Sequence, residues 1–168
     1  MFVPFESLPS ESRIWIFQAN RPFSPAEMET VENRLRQFTG EWAVHGTPLN
    51  TSFLVRFNQF IILAADESEY SASGCSIDSS VRVIKELGQT LGVELFDRSQ
   101  IAFMSNDKIS LAPLQELKQK FQSGMLSEET LTFNNLIKTR SEFEKLWLVP
   151  AGATWLKRYI PNPLEKVK

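Results

Sequence analysis

Ser73-Gly74-Cys75-Ser76 is the stretch of this 168-residue chain whose residue types come closest to chemistry. It follows the polar run Asp66 to Ala72 and precedes a helical stripe of Ile77, Val81, Ile84, Leu87 and Leu91. A loop at the carboxyl end of a strand that leads into a helix presents backbone amides where ligands bind. Small side chains let a ligand reach that backbone, so the expected ligand-binding set is Ser73, Gly74, Cys75, Ser76 and Asp78, with Arg98 as a cation brought nearby. Asp66, Glu67, Glu69 and Asp78 oppose an anion there unless a cation neutralises them. An ordinary loop with Ser76 or Asp78 as N-cap accounts for the same residues without any ligand.

Cys75 at a helix start is also a candidate nucleophile, because a helix N-terminus lowers a thiol's pKa, and His45 is the one imidazole available as its base. The two are thirty residues apart and nothing in the spacing shows that they meet, so a buried, inert thiol is the favoured reading of the lone cysteine. A phosphatase-type loop needs arginine six residues after the cysteine; that position is Val81, and Arg82 comes one residue late. Asp66, Asp78 and Asp97 are the carboxylates that could converge on magnesium, but each reads equally well as a cap, a turn residue or half of a surface pair, so no metal is assigned. With one cysteine and one histidine there is neither a zinc cluster nor an intramolecular disulfide. Nothing in the residues names a cofactor.

Composition narrows the class. Hydrophobic residues make up 42% and charged residues 23% of the chain, as in globular domains and unlike disordered or fibrous ones. Eighteen basic and twenty acidic residues, interspersed, leave a net charge of −2, which carries no nucleic-acid footprint. The amino terminus lacks a basic segment followed by a long apolar one, and the longest apolar run, Phe60 to Ala65, is far too short for a bilayer. The expectation is a cytoplasmic protein with no membrane segment; the oligomeric state is not legible.

The elements that must position these residues follow from periodicity. Arg13 to Ala19 reads as a strand covered on both faces, central in its sheet. Ser24-Pro25-Ala26-Glu27 opens a helix to about Phe38, with Met28, Val31, Leu35 and Phe38 on one face. Ser52 to Asn58 and Phe60 to Ala65 read as two strands, joined around Asn58-Gln59 without the glycine that a tight primed turn prefers. Ile101 to Met104 and Lys108 to Leu111 form a hairpin about Ser105-Asn106-Asp107, and a third helix begins at Pro113. Ser141-Glu142-Phe143-Glu144 has the pattern of a capping box for a short helix ending near Trp147, and the tail after residue 160 is expected to fray. The order strand, helix, strand, strand, helix, strand predicts an α+β sandwich built on a split βαβ (ferredoxin-like) unit, extended by a β-hairpin and short C-terminal helices, in one domain over residues 1–168. Trp42, Trp147 and Trp155 fall at element ends, as lids on the core or as a contact surface.

Phe5-Glu6 with Ser12-Arg13-Ile14-Trp15-Ile16, Gln18-Ala19-Asn20-Arg21, Trp42 with His45-Gly46, Ala72 to Val81, Phe133-Asn134-Asn135-Leu136, and Val149-Pro150 before Trp155 together give a resemblance over nearly the whole chain. On these residues the chain resembles a family of small bacterial proteins without an assigned activity, some of which carry the label "ABC transporter ATPase". The resemblance implies no catalytic residue. That label also fails on physical grounds, because such an ATPase needs a G-x-x-x-x-G-K-[ST] loop to wrap phosphates, and neither Gly40, Gly46 nor Gly74 stands in one. Two functional readings remain: a small-molecule or anion-binding protein or an enzyme, using the 66–78 loop, or a non-catalytic protein-interaction module using exposed tryptophans and a sheet edge.

Overall fold

The computed structural model describes residues 1–165. In chain order the first elements are β1 (Arg13–Gln18), α1 (Pro25–Glu41), β2 (Ala43–Val44), β3 (Thr47–Pro48), β4 (Thr51–Arg56), β5 (Phe60–Ala65) and α2 (Gly74–Leu91). They are followed by β6 (Gln100–Ser105), β7 (Lys108–Pro113), α3 (Leu117–Gln122), β8 (Leu131–Phe133), α4 (Arg140–Leu146) and β9 (Leu148–Pro150). The architecture is α+β with antiparallel sheets throughout. The chain falls into two compact units, Met1–Asp97 with Ile137–Glu144 and Arg98–Leu136 with Lys145–Lys168. Neither unit is a single continuous segment, so no linker of distinctive composition divides them and periodicity alone reads as one domain.

In the first unit the sheet order is β1-β5-β4. β5 runs antiparallel to both neighbours, so β1 and β4 are parallel to each other with α1 between them in sequence, which is the split βαβ arrangement. The central strand is β5 rather than β1, because only the continuous apolar run Phe60–Ala65 can be buried on both faces; all six of its residues are buried. A complete ferredoxin-like repeat would return a strand to the free edge of β1 after α2. Here that edge is taken by residues 138–140: Ile14 N–H donates to the Lys138 carbonyl at 2.9 Å and Arg140 N–H to that of Ser12 at 2.9 Å. β6 instead pairs in a second sheet, ordered β7-β6-β8-β9. One face of the first sheet packs Phe53, Ile61, Leu63 and Ala65 against Val31, Leu35 and Phe38 of α1 and Val83, Ile84 and Leu87 of α2.

Local signals explain most boundaries. α1 starts with a full capping box, Ser24 Oγ accepting from Glu27 N–H and Glu27 accepting from Ser24 N–H, and runs three residues past Phe38. Arg21 grips the Glu27 carboxylate with two hydrogen bonds of 2.9 Å and donates a third, also 2.9 Å, to the Leu91 carbonyl at the end of α2. α4 is capped two residues earlier than the sequence pattern predicts: Glu142 accepts from Lys138 and Thr139 N–H, while Thr139 Oγ1 accepts from Glu142 N–H. The β4–β5 turn is a primed turn despite lacking glycine, with Phe57 and Asn58 both at φ +53°. That conformation costs roughly 1–2 kcal/mol per non-glycine residue. The turn is held by its neighbours: the Gln59 amide donates to the Ala19 carbonyl at 2.9 Å, Ala19 N–H to the Gln59 carbonyl and Phe23 N–H to that of Asn58.

In the second unit the Asn106-Asp107 hairpin joins β6 and β7, with both turn residues at positive φ. Its core gathers Phe103, Ala112, Leu117, Phe121, Leu126, Ala151 and Leu156. The stretch after residue 160 includes a 3-10 turn at Pro163–Glu165; the remainder of the tail expected to fray, residues 166–168, lies outside the described residues. No helix among the described residues is long and apolar enough to cross a membrane.

Two glycines provide opposite tests of this packing. A Cβ on Gly88 of α2 would sit 2.9 Å from the Val93 carbonyl oxygen, where the chain turns back at Gly92, whereas one on Gly40 of α1 meets nothing within 4 Å. Gly88→Ala is expected to destabilise by about 1–3 kcal/mol, and Gly40→Ala to stabilise by about 0.5 kcal/mol, measured by urea denaturation. A second test concerns acid. The Arg21 guanidinium, helped by Ser24 N–H, holds the Glu27 carboxyl at about 2 against an ordinary 4.5. A depressed folded-state pKa contributes stability that is complete above the unfolded value and lost as pH falls through the folded one. The destabilisation caused by Glu27→Gln should therefore be full above pH 4.5 and fade as pH approaches 2, as followed by thermal melts across that range.

Candidate functional site

α2 begins at Gly74, three residues before its first large apolar side chain. Its N-cap is Ser73, whose hydroxyl accepts from Ser76 N–H at 3.3 Å, so neither Ser76 nor Asp78 is the cap. The Ser76 hydroxyl turns back to donate to the Ser73 carbonyl at 2.9 Å, and Ser80 does the same to Ile77 at 2.6 Å. These internal bonds let two serines lie on the buried face with Val83, Ile84 and Leu87, while Ile77 and Val81 of the expected stripe are half-buried. The small Ser76 leaves room for the Trp42 indole, whose Nε1 donates to the Ser76 carbonyl at 3.0 Å. Trp42 is 2% exposed and stacks at 5.4 Å on Trp15 and 4.9 Å on Phe38. Trp15 in turn lies under the Arg13 guanidinium at 5.0 Å, and Arg13 approaches Glu67 at 4.0 Å. The start of α2 is thus tied to the sheet through a chain of rings and to the preceding loop through an ion pair. Trp42 acts as a lid on the core; its link to α2 was not readable from spacing.

The loop's carboxylates are mostly turned onto the loop itself. Asp66 Oδ1 accepts Ser68 N–H at 2.9 Å, and Glu67 Oε1 accepts Ala72 N–H at 2.8 Å. These bonds hold both carboxylates within the loop without removing their charge, and Glu67 also has the Arg13 guanidinium at 4.0 Å as a counter-charge. The first turn of α2 contains no acidic residue, and the N–H groups of Gly74 and Cys75 find no partner among the described residues. Both residues are exposed.

Several expected groupings are not assembled. No hydrogen bond or ion pair joins Cys75 to His45, so the nucleophile and base are not brought together as a dyad. His45 is exposed at φ +49° and, with Gly46 at φ +80°, forms the primed two-residue turn between β2 and β3. Cys75 is exposed, which also removes the buried-thiol alternative. Among the described residues no group of three or more His, Cys, Asp and Glu side chains is disposed to hold a metal ion, so Asp66, Asp78 and Asp97 do not converge. Asp78 lies exposed on the second turn of α2, and Asp97 is exposed where the first unit ends. Arg98 belongs to the second unit.

The nearest concavity lies on the loop's other side. It has a volume of about 100 Å³ and is lined by Pro48, Leu49, Asn50, Asp66, Ser68, Glu69 and Tyr70, with none of residues 73–78. At roughly 30 Å³ per water it holds a few waters, against the roughly 300 to 1,000 Å³ of small-molecule sites. The first turn of α2 presents two exposed amides and the positive end of a helix dipole at the surface, an arrangement that favours negative charge.

Trp42→Phe keeps the ring stack and deletes one buried hydrogen bond. It should cost about 1–2 kcal/mol and raise amide hydrogen exchange selectively at Ser76 and Ile77, the first amides of the helix that are hydrogen-bonded; uniform exchange changes across α2 would contradict this tether. No known family model, curated protein or solved structure matches this chain, so its function is argued from its own residues.

Proposed function

We propose that this protein binds a small anion at the first turn of α2, through the backbone of Gly74 and Cys75 with Ser73 and Ser76 shaping the site. The observation that supports this reading is the pair of unbonded, exposed amides at the start of an 18-residue helix whose first turn has no acid. Amides aligned with a helix dipole favour negative charge by about 0.3–1 kcal/mol at an exposed position. That magnitude suits weak, reversible binding of phosphate, sulfate or a carboxylate, and it argues for the anion-binding half of the sequence expectation over a small-molecule enzyme. Asp78, exposed on the next turn, weakens the site by its charge and is not a ligand.

The other reading, a non-catalytic interaction module, draws its support from Trp155. It is 37% exposed and stacks edge-on against Tyr159 at 6.0 Å, whereas Trp42 and Trp147 are 2% and 5% exposed. A lone half-exposed indole specifies no partner, and the α2 site is the better supported of the two.

Cys75→Asp separates folding from binding, because the two should move in opposite directions. A carboxylate in the first turn complements the helix dipole and should stabilise the fold by about 0.3–1 kcal/mol. The same carboxylate occupies the amides and repels an anion. In a sulfate titration at constant ionic strength followed by amide chemical shifts, saturable changes at Gly74, Cys75 and Ser76 are expected in the parent protein and lost in Cys75→Asp, whose melting temperature rises. Absence of saturable shifts at these residues, or equal shifts in the variant, would overturn the proposal.

A further inference from the structure

We infer that the second unit carries a separate site, a cleft for a phosphomonoester attached to one compact ring. The cleft has a volume of about 280 Å³ and is lined by Lys118, Gln122, Arg158, Tyr159, Ile160 and Pro161. Both of its walls are anchored from behind. On α3, Leu117 and Phe121 are 0% and 3% exposed in the core, and the exposed flank beside them presents Lys118 and Gln122, four residues apart and therefore neighbours on the helix surface. On the other wall, the 3-10 turn Trp155–Tyr159 is capped by Thr154, whose Oγ1 accepts Leu156 N–H at 3.2 Å and donates to the Ala151 carbonyl at 2.8 Å. Leu156, 1% exposed, pins that turn to the same core and leaves Arg158 pointing away from it, exposed.

The charge state of these walls identifies the ligand class. Lys120, next along α3, is occupied by Glu116 at 3.7 Å and the Met125 sulfur at 3.6 Å. Lys118 and Arg158 have no carboxylate partner among the described residues. Two unpaired cations at one cleft attract a multiply charged anion, and a guanidinium matches the oxygens of a phosphate in a two-pronged contact that a point charge cannot make. Local composition points the same way: the second unit holds nine Lys and Arg residues against five Asp and Glu, an excess hidden by the overall charge of −2. The floor differs in character. Tyr159, Ile160 and Pro161 are half-buried and largely apolar, which suits the flat face of a ring and does nothing for a bare ion. The volume, near the lower end of small-molecule sites at roughly 300 Å³, suits one ring with its phosphate.

Phenyl phosphate, inorganic phosphate and phenol are the probes, each titrated into the full chain and followed by amide shifts and calorimetry. Phenyl phosphate should bind saturably with shifts at Lys118, Gln122, Arg158, Tyr159 and Ile160, and at least roughly tenfold more tightly than either fragment. Arg158→Gln and Lys118→Gln, both at exposed positions, should each weaken binding severalfold with an unchanged melting temperature; the variant Gln122→Ala, if it too melts normally, should weaken it less. Inorganic phosphate binding as tightly as phenyl phosphate, phenol binding as tightly as phenyl phosphate, or affinity unchanged in Arg158→Gln would each overturn the assignment. Shifts confined to Gly74–Ser76 would overturn this site while leaving the one on α2 standing, and shifts confined to the cleft would do the reverse.

Discussion

The first unit depends on one strand that cannot be left wet. Phe60 to Ala65 is apolar at every position, and a strand buried on both faces must have both edges hydrogen-bonded and both faces covered. β1 and β4 supply the edges, residue for residue from Arg13↔Ala65 to Gln18↔Phe60 and from Thr51↔Ala65 to Arg56↔Phe60. α1 and α2 supply one face. On the other, where Phe60, Ile62 and Ala64 are fully buried, the 3-10 turn Phe5–Ser7 lies against β4 and Phe5 meets Phe143 of α4 edge-on at 5.8 Å. The strained turn at Phe57-Asn58 is tolerated because it delivers β5 in register, and the 19–23 segment fastens it in place.

The start of α2 inherits its rigidity from that arrangement. Its helix dipole is generic, yet its position is not: the Trp42 indole, wedged between Trp15 and Phe38, holds the Ser76 carbonyl, while Arg21 holds the Leu91 carbonyl at the other end. A helix fastened at both ends presents its first amides in a constant place, which would lower the ordering cost of the anion binding proposed there. The loop before it is shaped by its own carboxylates, Asp66 accepting from Ser68 N–H and Glu67 from Ala72 N–H.

The two units place opposite electrostatic demands on a chain whose overall charge is nearly neutral. In the first, acids are abundant and many are used as caps, as with Glu27 and Glu142, both held below their ordinary pKa by the N–H donors and, for Glu27, the guanidinium that they accept from. In the second, Lys118 and Arg158 have no carboxylate partner among the described residues and line a cleft with the half-buried Tyr159, Ile160 and Pro161. The phosphomonoester proposed there carries both charge and apolar surface, which is what such a lining complements.

What the amino-acid sequence determined by itself was local. The α+β class, the split βαβ order, the Ser24 to Glu27 box, the Asn106-Asp107 hairpin and the polar approach to α2 all follow from periodicity and cap chemistry acting within a few residues. The tertiary structure decided which strand is central, since burial on both faces depends on what the rest of the chain can cover, and it decided where β6 pairs, since residues 138–140 had already taken the edge of β1. It also separated His45 from any partnership with Cys75 and kept Asp66, Asp78 and Asp97 from converging, while joining Trp42 to Ser76 and Lys118 to Arg158 across one cleft. Residue type limits what chemistry is available, but distance sets whether two groups interact, and distances between residues far apart in sequence exist only after the chain has packed.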